Sequence, residues 1–244
     1  TINGLVPIEQ LKLGDLVLSK PEHGGELSYK PVTKTFEHDF QEVMLLQFIL
    51  NQGPRNIHEI NQITCLETNR ILGRAQSVPG SNEFIVATAN HPFFAKQYKG
   101  RLSQSEPDTI PQWTALDQLS HFDEIEALNG TTAMVGRVDC VHSGEVGFGF
   151  VPWDERQWSE GGYLFNMYYR PLKVVHVKGS PYCEAYCPPA TEMVYDIEVQ
   201  DNHTYYVGST GLWVHNKNVG FKGLDPERDL TGSGCWPCVE PYSL

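Results

Sequence analysis

V-Y-D-I-E-V-Q-D-N-H-T-Y-Y-V-G-S-T-G-L-W-V-H-N, Val194 to Asn216, is the stretch from which the rest of the chain can be read. It reads as a closing hairpin, Val194 to Val214, around the turn Gly208-Ser209-Thr210-Gly211, and it stops on His215-Asn216. An asparagine can attack its own backbone carbonyl with its side-chain amide nitrogen, closing a succinimide and cutting the peptide bond behind it. That reaction is slow in water, because the amide is a poor nucleophile and the leaving amine needs a proton. It becomes useful only where neighbours hold the geometry and move protons. His203 and His215, twelve residues apart on the two sides of the turn, are expected to meet across the strands as such neighbours. Asp196, on the first strand, is placed to orient an imidazole or carry a proton. Asn3-Gly4 and Asn129-Gly130 are the intrinsically succinimide-prone pairs, whereas Asn216 is followed by Lys217, so any cyclisation there must be driven by the fold.

Upstream, short runs rich in Val, Ile, Thr and aromatic residues recur between Gly and Pro, and helical periodicity is nearly absent, which predicts an all-β chain. Strands are expected at 16–19, 27–36, 42–50, 84–88 and 172–177, with a helical turn at 7–12 that places Pro7 in its first position. The opening then repeats. Ile8-Glu9-Gln10-Leu11 matches Leu116-Asp117-Gln118-Leu119, and Asp15 and Val17 match Asp123 and Ile125 at the same offset. A helical turn followed by Asp and a strand therefore occurs twice, as in a core of two similar halves related by a pseudo-two-fold axis. Residues 51–80 and 140–190 read as insertions, the second aromatic-rich, and 217–244 as a tail or the start of a downstream module.

The 244 residues suffice for one large core or two modest ones, and 40% hydrophobic and 11% aromatic content are those of a folded protein. A net charge of −12 with no basic run argues against a nucleic-acid surface. No apolar run is long enough to span a bilayer as a helix. Thr1, without Met, basic flank or apolar signal region, is expected to be the start of a fragment, and localisation stays open.

Thr88-Ala89-Asn90-His91 puts a hydroxyl and an imidazole on one turn at the end of a strand, where both can hydrogen-bond a peptide group. A plain turn ended by Pro92 is the structural alternative. Cys235-Trp236-Pro237-Cys238 forms a C-x-x-C, and Cys183 and Cys187 with Cys140, His142 and His176 form a second candidate set for zinc. No second C-x-x-C or H-x-x-x-H completes either set, so disulfides or free thiols are the simpler reading. His23, His38, His58 and His121 read as surface or loop residues.

Together, G-L-V-P-I-E-Q-L-K-L-G-D-L-V-L-S (4–19), A-T-A-N-H-P-F-F (87–94), V-Y-D-I-E-V-Q-D-N-H-T-Y-Y-V (194–207) and L-W-V-H-N (212–216) resemble the blocks of the Hint superfamily. That superfamily comprises inteins, Hedgehog autoprocessing domains and bacterial intein-like domains, and the nearest likeness is to the pretoxin Hint domains of bacterial polymorphic toxins. The blocks cover about a third of the chain, in the family's order. The resemblance implies an all-β horseshoe with internal pseudo-two-fold symmetry, spanning 1–216, and a self-processing activity that needs no cofactor and takes the chain's own flanking segments as substrate. Thr88 and His91 would activate the upstream peptide bond for an N-to-S acyl shift, with Asp196 assisting. His203 and His215 would promote cyclisation of Asn216 and cleavage before Lys217.

Two departures matter. Aligning Gly4 with the family's opening glycine puts the expected Cys or Ser nucleophile upstream of Thr1, and none of the six cysteines is in register to replace it. Splicing also needs Cys, Ser or Thr after the closing Asn, where this chain has Lys217. The expectation is therefore cleavage after Asn216 without splicing, releasing a toxin segment from a secreted bacterial parent, with an immunity-type protein as a further partner. The rival readings are an inactive Hint fold that links or docks a payload, and a metal-binding β domain.

Overall fold

A computed structural model describes residues 1–51, 82–98, 110–143, 147–153, 160–168, 172–179 and 188–216. Within them the chain is built almost wholly of strands: β1 Leu16–Ser19, β2 Ser28–Asn51, β3 Asn82–Thr88, β4 Pro92–Lys96, β5 Gln112–Ala115, β6 Glu124–Glu126, β7 Thr132–Cys140, β8 Phe148–Pro152, β9 Gly162–Asn166, β10 Val174–Val177, β11 Thr191–Val199, β12 Thr204–Val207 and β13 Leu212–His215. The only helical pieces among the described residues are 3-10 turns at Ile8–Gln10, Leu116–Gln118 and Leu128–Gly130. No helix there is long and apolar enough to cross a membrane.

Ten strands make one sheet, whose main path runs β1-β2-β7-β6-β4-β13-β12. β2 is its spine. The sequence suggests two strands here, at 27–36 and 42–50; the chain instead continues unbroken from Ser28 to Asn51. The reason is a change of partner. The first part of β2 pairs with β1 and then β11, from Leu16↔Pro31 to Thr191↔Glu42. Its second part lies between β3 and β7, with Leu46 facing Ile85 on one side and Val138 on the other. The polar residues that suggest a break, Glu37, His38, Asp39 and Gln41, lie on the stretch paired only with β11, where they meet solvent. From Val43 onward the strand has neighbours on both edges and becomes apolar through Leu50 except for the buried Gln47.

The two ends of the path are joined by side chains. Ser19 Oγ, at the end of β1, donates to the Thr204 carbonyl at 2.7 Å, and Thr204 Oγ1 donates to the Lys20 carbonyl at 2.5 Å. Asn202 Nδ2 completes the contact by donating to Ser19 Oγ at 3.0 Å. These bonds satisfy buried polar groups and leave the sheet nearly closed.

The repeat in the sequence is a repeat in hydrogen bonding. Leu11 N–H donates to the Ile8 carbonyl and Leu119 N–H to the Leu116 carbonyl, each at 3.2 Å. The carboxylate of Asp15 accepts from Lys12 N–H at 2.9 Å, and that of Asp123 from Ser120 N–H at 2.8 Å. Gly14 N–H donates to the Val32 carbonyl and Phe122 N–H to the Val135 carbonyl, both at 2.9 Å. Gly14 and Phe122 share a left-handed backbone, φ +88° and +78°, which is easy for Gly and uncommon for Phe. Val17 and Ile125 then point into the same core, 6% and 0% exposed. Burial of such a side chain stabilises the fold by about 1.5–3 kcal/mol, so both copies of the motif anchor the sheet.

That core gathers Val32, Leu46, Phe48, Phe93, Leu116, Ile125, Val135, Ile197, Leu212 and Val214. β8, β9 and β10 form a separate antiparallel sheet. It packs through Val151, Tyr163, Phe165 and Met167 on Val43 and Leu45 of β2, making a second apolar cluster. The aromatic-rich segment thus supplies its own strands and shares the spine. The expected strand at 172–177 is observed as β10 from Val174, whereas 52–81, most of the first suggested insertion, and 217–244 lie outside the described residues.

Candidate functional site

Asn216 is fully buried, and its N–H donates to the His203 carbonyl at 2.8 Å. The bond follows from strand register. β12 and β13 pair antiparallel from Val207↔Leu212 to Thr204↔His215, and the next step of the ladder is His203 with Asn216. The residue directly across from His215 is therefore Thr204, and His203 lies one ladder step along, which puts the two histidines near each other across the strands, in diagonal rather than direct register. His203 itself faces the asparagine. One correction concerns the hairpin. Val194 to Val199 belongs to β11, which pairs with β2, and only β12 and β13 form the hairpin.

The turn between β11 and β12 is sharp. His203 N–H reaches back to the Val199 carbonyl at 3.2 Å, and both Asp201 and His203 take a left-handed backbone, φ +64° and +57°. Asp and His are among the non-glycine residues that tolerate this region best. His203 Nδ1 is buried with no hydrogen-bond partner among the described residues. Leaving a buried ring nitrogen unsatisfied costs about 1–3 kcal/mol.

His215 is 1% exposed, and its Nδ1 is hydrogen-bonded to the carbonyl oxygen of Asn216. A carbonyl only accepts, so Nδ1 carries the proton. The imidazole Nε2 lies 3.5 Å from Glu22 Oε1 in the loop between β1 and β2. The ring edge rests on Trp113 of β5, centroids 5.0 Å apart. Trp113 packs on Trp213 at 4.9 Å and Trp213 on Phe94 at 4.6 Å, with Lys20 Nζ 4.2 Å above the Trp213 ring. This aromatic wall keeps water from one side of the histidine. The His215 imidazole lies below its ordinary range: burial lowers it, and the smaller upward pull of the Asn216 carbonyl and the Glu22 carboxylate does not offset this.

Thr88 ends β3, paired with Val43. His91 N–H donates to the Thr88 carbonyl at 3.0 Å, closing the turn, and the His91 carbonyl accepts from Leu116 N–H at 3.0 Å. The His91 ring stands edge-on to Phe93, 5.4 Å away. Phe93 is paired antiparallel with Val214. His91 precedes Phe93 by two residues and Asn216 follows Val214 by two, so both lie at the same end of the β4–β13 pair.

Asp196 is placed differently. It is buried, and its Oδ1 accepts from Ile197 N–H at 2.7 Å and from the Tyr205 hydroxyl at 3.0 Å. Tyr205 pairs with Val214, one step along from Thr204 and His215. Neighbouring residues of a strand point to opposite faces, so the hydroxyl that holds Asp196 lies on the face opposite His215. The structure thus brings together His203, His215 and Asn216, sets Thr88 and His91 at the same end of the sheet, and ties Asp196 to Tyr205.

Sequence reading passed over Glu22, Trp113 and the Ser19–Asn202–Thr204 bonds. Glu22 sits in a polar hairpin loop that offers no pattern. Trp113 carried a signal, since it lies three residues before the second copy of the repeat, on the strand that pairs with β4 beside β13. Among the metal candidates, Cys140 is disulfide-bonded and so not a thiolate ligand. The His176 ring packs on Tyr163 at 5.0 Å. No three His, Cys, Asp or Glu side chains cluster for a metal among the described residues. Cys65, Cys183, Cys187, Cys235, Cys238 and His58 lie outside those residues.

Residues 1–71 match the family model of the pretoxin Hint domain. No curated protein matches the chain. Among solved structures, the chain is similar to a DnaB intein from Synechocystis sp. PCC 6803, at 14% identity over 86% of each chain with a TM-score of 0.43. It is also similar to a bacterial intein-like domain from Clostridium thermocellum, at 18% identity over 88% of this chain and 91% of that one with a TM-score of 0.42. By its sequence blocks and by the match over its opening 71 residues, the chain resembles the Hint superfamily, with the pretoxin Hint domain as the family matched.

Proposed function

We propose that the chain is a self-processing domain that cuts the peptide bond between Asn216 and Lys217. In the reaction, Asn216 Nδ2 forms a bond to its own carbonyl carbon and the bond from that carbon to the Lys217 nitrogen breaks. One proton passes from Nδ2 to the departing amine, leaving a succinimide at the end of one fragment and a free amino group on the other. The observation that carries this reading is the hydrogen bond from His215 Nδ1 to the Asn216 carbonyl oxygen. That oxygen gains negative charge as the ring closes, and a donor already in place stabilises it without reorganisation, an effect worth about 10²–10³ in rate. The His203 carbonyl fixes the Asn216 backbone from the other side, and His203 Nδ1 supplies a place for the travelling proton.

Thr88 and His91, at the same end of the sheet, are the residues that would act on an upstream peptide bond, with Asp196 assisting. Lys217 carries an ammonium rather than a hydroxyl or thiol, so the product is cleavage and not a splice. The released segment would be the toxin portion of a larger protein. Intact mass of the purified chain over time tests the reading: a fragment ending at Asn216, as succinimide or its hydrolysis product, supports it, and a chain that stays whole in a folded state at every pH tried contradicts it.

A further inference from the structure

Glu22 is a charged group facing the His215 ring, and neither motif nor family match assigns it a role. Its Oε1 lies 3.5 Å from Nε2 on the side of the ring away from the Asn216 carbonyl. His215 is thus hydrogen-bonded to a carbonyl at Nδ1 and faces a carboxylate across an ion-pair distance of 3.5 Å at Nε2. We propose that Glu22 is the positioning residue that holds His215 as a two-proton donor aimed at the Asn216 carbonyl. The proposal rests on the reading of Asn216 as the cleavage residue.

The ring is fully enclosed, so the cation needs a compensating charge nearby. The groups that face it decide the balance. His203, from the turn before β12, opposes a second positive charge, as does burial itself. Trp113, from β5, meets the ring in a T-shaped contact and brings no charge. Lys20 lies over Trp213, and its ammonium is paired with Glu126 at 2.5 Å. Glu22 places an anionic oxygen 3.5 Å from Nε2. The loop that carries it is fixed at its start, because Ser19 Oγ and the Lys20 carbonyl are both bonded to Thr204, directly across from His215. The positioning is thus built into the join that closes the sheet.

The test uses the full chain with Asn216→Ala, which leaves the backbone carbonyl and stops processing, labelled at histidine for NMR. Glu22→Gln keeps the shape of the side chain and removes its charge. The His215 titration midpoint is expected to fall by about one pH unit in Glu22→Gln, as for loss of an opposite charge within a few ångströms, and Glu22→Asp should recover part of it. An unchanged midpoint in a chain with an unchanged spectrum elsewhere overturns the proposal. In the Asn216 chain, the pH–rate profile of cleavage should move to lower pH by the same amount. If the Asn216 chain does not cleave, the proposed function fails while the titration still decides whether Glu22 holds the proton on His215.

Discussion

His215 donates from Nδ1 to the carbonyl oxygen of its own neighbour, Asn216. Adjacent residues on a strand ordinarily send side chains to opposite faces and leave each other's carbonyls to the ladder. Here the ladder stops at Thr204↔His215 and the final rung, from Asn216 N–H to the His203 carbonyl, leaves the Asn216 carbonyl to the imidazole. The same carbonyl is the electrophile of the proposed reaction.

Replacing His215 by Ala removes that donor. Cleavage after Asn216 is expected to slow by about 10²–10³-fold, measured by intact mass at matched times. Circular dichroism of the variant should stay native, because the strand is held by β4 and β12 on its two edges.

The two copies of the repeated turn differ in burial, and this separates their energetics. Asp123 is 1% exposed and accepts from Ser120 N–H at 2.8 Å and Tyr98 N–H at 2.9 Å. Asp15 bonds Lys12 N–H in a more open setting. Chemical denaturation in the Asn216→Ala background should show Asp123→Ala costing about 3 kcal/mol and Asp15→Ala about 1 kcal/mol.

Tyr205→Phe removes the hydroxyl that reaches the buried Asp196 carboxylate at 3.0 Å. A stability loss of about 2 kcal/mol is expected by denaturant unfolding. Because this pair lies on the face opposite His215, the cleavage rate in native buffer should change less than twofold by the general scale of independent sites.

Alkaline pH should weaken the fold through its tyrosines. Tyr206 is pushed up to about 12, first by burial and then by Glu126. Burial raises Tyr205 well above its usual range, with Asp196 adding to it, and burial with Glu124 does the same for Tyr98. A group whose value is raised in the folded chain contributes stability that is complete below the unfolded value, about 10 for tyrosine, and lost as pH climbs through the folded one. Denaturant midpoints should therefore be flat up to about pH 10 and fall above it. Tyr206→Phe should make the fall shallower.

Much of the fold was legible because its signals are local. The strand at Leu16–Ser19 is bounded by Gly14-Asp15 and by Pro21, and the structure ends it at the same residues. The repeated turn could be found because its Asp and its core residue keep their spacing, and the matching bonds of Asp15 and Asp123 show why. What sequence could not show depends on partners distant in the chain. The continuity of β2 is set by β11 and β3, which are about a hundred residues apart in the chain. The facing of His203 to Asn216 rather than to His215 turns on a single ladder step. Glu22 reaches His215 only because the end of β1 is bonded to Thr204.

The most direct test of the central claim is a time course of intact mass for the purified chain beside its Asn216→Ala variant. The parent should yield a fragment ending at residue 216 with the succinimide mass, or that mass plus one water, and Asn216→Ala should stay whole. Cleavage that persists unchanged in Asn216→Ala, or a folded parent chain that never loses its C-terminal segment, would contradict it.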